Sequence, residues 1–535
     1  MDTTWSQRRT SRRSLLTGAA ALGGAIALPG AAAGTSTGFR TAADAMPGLA
    51  RNPCFPQSVM AGVPRTDGAT LWTRVPPVPL LNRDANLALI VSKNADLSSP
   101  VVVKGVTARG MADGTVHEDV TGLDPGEQYF YCFRGQDTES PVGRFQTLRP
   151  PDSQQPVRIG FFTCQGFEEG YFAAHRHLAA EDLDLVVSLG DYVYEFTAPG
   201  VRGLEFNAYP QTLSGMRAKY PHYRDADLQS MHLQHAFLPI WDDHEFRNNY
   251  DKVDWTAPVL SDLDTLLFWQ QKKQWAWRAW FEHMPVPRFA DDPLRTYRSL
   301  QLGGMVELFL QDARQYRDQQ GCGDSLGHLV CADADDPSRS MLGAPQKTWL
   351  LNGLENSSAR WKVMANANMM MGMVTDDAGA RAYMDTWDGY GAERTEILST
   401  LGHAGVENFV AITGDDHDSF AGELWNTGFA PGTSGGSINP AGDQRVGTEF
   451  LVPSVTSHNT GDSGVPAARL EEQNRRAHNP HLKFVDMVQH GYGVLEATAS
   501  EMRFDYRQVD KLDPHAGVST SYSFHVESGQ PAVEA

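Results

Sequence analysis

The stretch RIGFFTC (158–164), followed by EEGYFAAHRHLAAEDL (168–183) and LDLVVSLGD (183–191), decides the fold. Two short, almost wholly apolar runs bracket a segment of helical periodicity. Each run ends in a residue able to bind a cation, Cys164 and Asp191. Apolar runs of this length read as strands, and their alternation with helical stretches is the texture of an α/β domain. The same texture recurs in FLPIWDD (237–243), MVELFLQDAR (305–314), RWKVMAN (360–366) and NFVAITGDD (408–416). Between them, LDTLLFWQQKKQWAWRAWFEH (263–283) has helical periodicity and no proline. Residues 155–515 therefore read as an α/β domain, closed by a β-hairpin in GYGVLEATASEMRFDYRQV (491–509).

Upstream the texture differs. SVMAGVP (58–64), ATLWTRV (69–75), LALIVSK (87–93), PVVVKGV (100–106) and EQYFYCFRG (127–135) are short strands separated by turn residues. Residues 52–148 thus read as a small β-sandwich of the immunoglobulin or fibronectin type, ending at the Pro-rich boundary GRFQTLRPPDSQQP (143–156). Residues 1–33 read as an export signal. Arg8, Arg9, Arg12 and Arg13 precede the apolar LLTGAAALGGAIALPG (15–30) and the small residues Ala31, Ala32 and Ala33. SRRSLLTG (11–18) looks like a twin-arginine signal, which predicts passage through that export machinery to the periplasm or the medium. The apolar stretch is too short and too rich in glycine for a stable membrane span. Residues 34–51 read as a linker.

The chain has 535 residues, 41% hydrophobic and 21% charged, which suits a soluble protein with more than one core. Its net charge of -20 argues against nucleic acid as a structural partner and favours cations. Five cysteines leave one over. Cys322 and Cys331 flank a short polar loop and are placed to close a local disulfide. Cys54 and Cys132 are candidates for a second, and Cys164 is left unpaired.

Strand after strand delivers ligand-type residues to one edge: Cys164, then Asp191 with Tyr194, then Asp242, Asp243 and His244. Asp312 and Arg314, Asn366, and Asp415 with His417 follow. In open α/β sheets the site lies outside the carboxyl ends of the strands. Singly, each has a bland alternative: Gly-Asp after a strand is usually a turn, and a lone cysteine is usually a small buried hydrophobe. Together and in order they read as a polynuclear metal centre. Asp191 can bridge two cations. Tyr194 and Cys164, as phenolate and thiolate, favour a trivalent or soft ion such as iron. Asp243, Asn248 and Asp415, with Asn366 a further candidate, offer hard oxygens for calcium or another divalent ion. Such a centre activates water for attack on phosphorus. Arg314 is suited to grip a phosphoryl oxygen, and His244 to protonate the leaving alcohol.

The order TCQ (163–165), GDYVYE (190–195), WDDHEFRNNY (241–250), QDARQYR (311–317), WDGY (387–390) and TGDDH (413–417) resembles the alkaline phosphatase D family. That family is a branch of the calcineurin-like metallophosphoesterases, akin to purple acid phosphatases. The resemblance implies a four-layer αββα catalytic domain holding Fe3+ and Ca2+. It implies Cys164, Asp191 and Tyr194 on iron, Asp243, Asn248 and Asp415 facing the second metal region, and His417 serving either side. Purple acid phosphatases carry Asn at the place of Asp243, His at that of Asp415, and Asp near Cys164. These departures favour calcium beside iron. Asn366 and Asn368 fall where relatives carry a glutamine-rich stretch, and which of them, if either, reaches the site is left open. WDGY either lines the pocket or is structural. The implied activity is hydrolysis of phosphate mono- or diesters for phosphate acquisition. A phospholipase D-type action on phospholipids is the alternative within the class. An exported binding or surface protein with an inert metal domain is the alternative from another class.

Overall fold

The computed structural model describes residues 52–77, 83–203, 210–252, 263–323, 326–328, 331–431, 433 and 442–535. The stretches read above as an export signal (1–33) and a linker (34–51) lie outside the described residues. The N-terminal region contributes β1 (Val59–Arg65), β2 (Gly68–Arg74), β3 (Ala85–Ser92), β4 (Pro100–Ala108), β5 (Thr115–Val120), β6 (Gln128–Arg134) and β7 (Gly143–Gln146). There follow β8 (Val157–Phe162), α1 (Ala173–Ala180), β9 (Leu185–Ser188), α2 (Leu213–Tyr223), α3 (Ala226–Gln234), β10 (Phe237–Pro239) and α4 (Leu263–His283). Next come β11 (Arg298–Leu302), β12 (Val306–Leu310), β13 (Leu326–His328), α5 (Gly343–Asn356), β14 (Trp361–Asn366), β15 (Arg381–Tyr383) and α6 (Gly391–Ala404). The chain closes with β16 (Phe409–Thr413), β17 (Ser419–Trp425), β18 (Arg445–Leu451), α7 (Val465–His478), β19 (Leu482–Asp486), β20 (Gly491–Ala497), β21 (Glu501–Val509) and β22 (Val518–Glu527).

Two large sheets organise these strands. One has nine strands in the order β22-β21-β20-β8-β9-β10-β1-β2-β5, the other seven in the order β11-β12-β14-β16-β18-β17-β19. The central neighbours β8–β9–β10 and β12–β14–β16–β18 run parallel. Alternation of side chains assigns the layers. Ile159, Phe161, Leu185 and Val187 of the first sheet meet Leu308, Val363, Val410 and Ile412 of the second in one shared core. The intervening Phe162 and Val186 turn instead toward Leu178 of α1, Leu228 of α3 and Trp280 of α4. Phe309, Met364 and Ala411 turn toward Leu350 of α5 and Leu398 of α6. Helix, sheet, sheet and helix therefore stack as the four layers expected.

The N-terminal sandwich is built on this frame. Its β4-β3-β6-β7 sheet stands alone, whereas β1, β2 and β5 continue the nine-stranded sheet through a parallel bridge from Gly62 to Phe237. Three differences from the sequence reading have physical reasons. The helix expected over 168–183 is only Ala173–Ala180, because the preceding turn docks on the C-terminal region, where Tyr171 N–H donates to the Lys511 carbonyl at 2.7 Å. The closing hairpin carries a third strand, β22, beyond residue 515. Its inward Phe524 and Val526 sit amid exposed polar residues, so its apolar signal is weak. Cys322 and Cys331 are disulfide-bonded, but Cys54 and Cys132 are free thiols. Cys132 points from mid-strand β6 into the protein, and burial pushes its thiol pKa up to about 12. Among the described residues no helix is long and apolar enough to cross a membrane.

Candidate metal centre

The parallel strands stop at one edge, and the residues just past them turn sharply. Cys164, Asp191, Asp415 and His417 all have positive φ, between 53° and 71°. Non-glycine residues adopt this conformation only when their surroundings compel it, and such strain gathers at functional sites. The compulsion is visible. Cys164 N–H donates to the Gly190 carbonyl at 3.3 Å and Gln165 N–H to the Asp191 carbonyl at 3.2 Å, so the two loops brace each other. Gly190 is needed at φ 107°, because a Cβ there would meet Asp242 Cβ at 2.4 Å.

These turns bring four donors together. Tyr194 O–H donates to Asp191 Oδ2 at 2.9 Å, and the Cys164 thiol lies 3.6 Å from the same oxygen. His417 Nε2 is 3.3 Å from Tyr194 Oη, and its Nδ1 meets the His458 carbonyl at 2.6 Å. The ligand atoms of Cys164, Asp191 and His417 lie within 4.8 Å of one another. So do those of Asp191, Asp243 and His244, and those of Asp242, Asp243 and Asp415. Asp191 and Asp243 each belong to two clusters. Burial drives the Cys164 and Tyr194 pKa values well above their ordinary ones, with Asp191 adding to both. Burial also raises Asp191 strongly against the opposing charge of His244, and lifts Asp415 to about 8 against Arg314. A buried cation would reverse this logic and take the place of those protons.

The third cluster is rich in acceptors. Asp242 Oδ2, Asp243 Oδ1, Asn366 Oδ1 and Asn368 Oδ1 are buried and make no hydrogen bond. The Asn368 amide donates to Asp415 Oδ2 at 2.9 Å and to Asp385 Oδ2 at 3.3 Å, while the Asn366 amide donates to the Asn368 carbonyl. Asn368 therefore reaches the carboxylate cluster, while the Asn366 side chain is tied to the backbone of Asn368 beside it. Four unbonded buried acceptors in one place are costly unless a cation satisfies them.

Other residues sit differently from their sequence reading. Arg314 is fully buried and does not reach the cleft. It is ion-paired with Asp242, with Asp385 at 2.6 Å and with Asp415 at 3.3 Å. It supplies counter-charge to the acidic cluster from behind rather than a free fork for a phosphoryl oxygen. Asn248 is exposed on the cleft wall, and its backbone N–H donates to Glu195 at 3.1 Å. His244 lines the cleft, its ring stacked on Tyr194 at 4.4 Å and its Nδ1 held by Glu195 Oε2 at 2.8 Å. Burial opposes its charge, yet Asp243, Glu195 and Asp191 raise its pKa well above the ordinary value. The WDGY segment is buried behind the site, with Asp388 ion-paired to Arg394 at 2.7 Å, and is structural.

Sequence reading missed three second-line carboxylates. Asp385, two residues before WDGY, joins Arg314 to Arg317. Glu245 accepts from the backbone N–H groups of Asp191, Tyr192 and Asp242, tying two metal loops together. Glu449 accepts from Met370 and Met371 N–H and from Thr413 Oγ1, fixing the stretch that carries Asn368 beside the one that carries Asp415. The cleft over the clusters has a volume of about 450 Å³. A larger cavity of about 780 Å³ between β4, β5 and α4 contains none of these donors.

Residues 159–506 match the family model for PhoD-like phosphatases, and residues 41–149 match the N-terminal domain of the same family. The chain belongs to the PhoD-like phosphatase family. It is a phosphoesterase hydrolase, and its substrate is a phosphate ester. It is 30% identical over 506 residues to alkaline phosphatase D of Bacillus subtilis (strain 168), covering 89% of this chain and 81% of that protein. A solved structure of PhoD superposes with a TM-score of 0.81 at 28% identity, over 90% of this chain and 92% of that one. A purple acid phosphatase from yellow lupin seeds superposes at 0.51 with 13% identity, over 88% of this chain and 75% of that one, a likeness of fold alone. The fold is thus that of the metallophosphoesterases, which implies a metal cofactor, and the three clusters are candidate groups to hold it.

Proposed function

We propose that this phosphoesterase is exported and cleaves phosphate mono- and diesters at a centre of iron and calcium, serving phosphate acquisition. The observation that carries the proposal is the adjacency of two unlike donor sets. Cys164, Asp191, Tyr194 and His417 offer thiolate, carboxylate, phenolate and imidazole, a set suited to iron. Asp242, Asp243, Asp415, Asn366 and Asn368 offer oxygen, four of whose atoms are buried without a hydrogen bond, a set suited to calcium. Bound there, the ions supply a water of lowered pKa and neutralise charge on the phosphoryl oxygens.

The chain's own residues do the rest. Asp191 and Asp243, shared between clusters, fix the spacing of the two sets. Glu195 holds His244 by Nδ1 and leaves Nε2 toward the cleft, where the protonated ring donates to the departing alkoxide. From behind, Arg314 with Arg317 holds Asp385 below its ordinary pKa against burial, and Arg314 opposes the burial that raises Asp242. The test is metal analysis of purified enzyme alongside turnover of p-nitrophenyl phosphate, bis-p-nitrophenyl phosphate and phosphatidylcholine. Iron and calcium with turnover of the first two are expected. Turnover of the phospholipid alone, or full activity without either metal, would overturn the proposal.

Export is supported by Arg12 and Arg13 in SRRSLLTG and by the Cys322–Cys331 disulfide, since such bonds persist in oxidising compartments. Replacing both arginines by lysine is expected to leave the precursor in the cytoplasm. Undiminished export of that variant would rule out the twin-arginine route.

A further inference from the structure

The segment VPSVTSHNTGDS (452–463) carries no motif, yet it crosses the ends of both large sheets. Val452 N–H donates to the Thr413 carbonyl at 2.9 Å, on the seven-stranded side. Ser454 bridges Thr163 in parallel, Val455 N–H donates to the Thr163 carbonyl at 3.0 Å, and Ser457 N–H to the Cys164 carbonyl at 3.1 Å, on the nine-stranded side. From this position the segment touches three of the four iron-type donors. Its backbone holds Cys164. Its His458 carbonyl meets His417 Nδ1 at 2.6 Å, and its Ser454 N–H donates to the His417 carbonyl at 3.1 Å. Ser457 Oγ lies 2.7 Å from Tyr194 Oη.

The direction of that last bond follows from its surroundings. Gly166 N–H donates to Ser457 Oγ at 2.9 Å, and Tyr194 O–H is directed to Asp191. The serine hydrogen is therefore the one free to point at the phenol oxygen. The segment is itself anchored. Ser454 Oγ donates to the Ser457 carbonyl at 2.7 Å and meets His490 Nδ1 at 3.0 Å. His490 Nε2 pairs with Asp462 at 3.2 Å, and Lys511 Nζ donates to the Thr456 carbonyl at 2.9 Å. Ser457 is completely enclosed, with 1% exposure, so water does not replace its hydroxyl.

We infer that Ser457 is a positioning residue that orients Tyr194 and lowers the electron-donating strength of its phenolate toward the metal. The inference rests on the reading of Tyr194 as an iron ligand. Partners of ligands orient them and tune their basicity, and a hydrogen bond to a phenolate is charge-assisted and strong. Withdrawing density from the phenolate raises the energy needed to move an electron from it to Fe3+. Removing the serine hydroxyl must therefore move a phenolate-to-iron absorption band to longer wavelength.

The experiment compares visible spectra and iron content of the purified holoenzyme with those of Ser457→Ala, Ser457→Thr and Tyr194→Phe. The expected result is a visible band in the parent, lost in Tyr194→Phe, shifted to longer wavelength in Ser457→Ala and returned by Ser457→Thr. Loss of iron in Ser457→Ala that Ser457→Thr restores supports the same role. An unshifted band in an iron-replete Ser457→Ala overturns the inference while leaving Tyr194 a ligand. Equal iron loss in both serine variants also overturns it, since the hydroxyl then does nothing specific. A parent enzyme replete in iron but lacking a band that Tyr194→Phe can abolish overturns the ligand reading itself, and the inference with it.

Discussion

The two ends of the metal centre are held in different ways. At the thiol–phenol end each donor already has a partner in the protein: Thr163 for Cys164, Ser457 for Tyr194, the His458 carbonyl for His417. At the carboxylate–amide end, acceptors outnumber donors. Asp242, Asp243, Asp385 and Asp415 gather around one guanidinium, and four acceptor atoms nearby have no hydrogen bond. The first end is assembled by the fold; the second leaves acceptors that a cation would satisfy. Asp191 and Asp243 join them. The difference teaches that metal loss should affect the two ends unequally, and substitutions can test that.

The largest effect expected is on folding. Arg314→Met removes the charge on which four buried carboxylates converge and leaves them uncompensated. Breaking a buried pair in this way costs about 3–5 kcal/mol. Denaturant unfolding of the metal-free variant should show a much lower midpoint, and added calcium should recover part of it. A midpoint unchanged from the parent would mean that Arg314 is not the counter-charge assigned to it. Asp191→Ala comes next, because it strikes both ends. We expect turnover of p-nitrophenyl phosphate to fall roughly a thousandfold, several kcal/mol of transition-state stabilisation, with both metals depleted. Loss of one metal alone would break the picture of a shared carboxylate.

How far these features can be read from sequence depends on their range. The α/β class was legible because RIGFF, LVVS and FVAIT are buried on both faces and so nearly pure in apolar residues. The 21 residues of α4 were legible because no proline or glycine interrupts them. That Cys164, Asp191, Asp243, Asp415 and His417 belong together was legible too, since each follows a strand, although the strands lie in two sheets whose ends meet rather than at one edge. Hidden were the interactions of high sequence separation. Ser457 meets Tyr194 across 263 positions, and β1 joins the catalytic sheet through a single bridge at Phe237. Arg314 misled for the same reason: its place after a strand pointed to the cleft, but Asp242 and Asp385, distant in sequence, draw it inward.

His244 separates chemistry from metal holding. On the proposed reading, Glu195 fixes Nδ1 and the remaining nitrogen serves the leaving group, so His244→Ala should slow hydrolysis by about a hundredfold for an alkyl phosphate. For a p-nitrophenyl ester, whose leaving group needs little proton assistance, the loss should be much smaller. Equal losses for the two substrates would assign His244 to the centre's architecture instead. Metal content of the variant distinguishes that outcome directly.

The smallest effect, and the sharpest on the comparison, belongs to Asn368→Ala. Asn368 touches only the carboxylate–amide end, where its amide bonds Asp415 and Asp385 and its oxygen has no hydrogen bond. Its removal subtracts one hard oxygen and frees Asp415 to shift, while Cys164, Tyr194 and their partners are untouched. Loss of a group at this remove weakens metal affinity by about 10- to 100-fold. Calcium should therefore be needed at higher concentration for full activity, with iron content unchanged and turnover restored near saturation. If iron falls as well, the two ends are coupled more tightly than their separate partners imply. The fold would then be holding a single cluster whose members cannot be loaded one at a time.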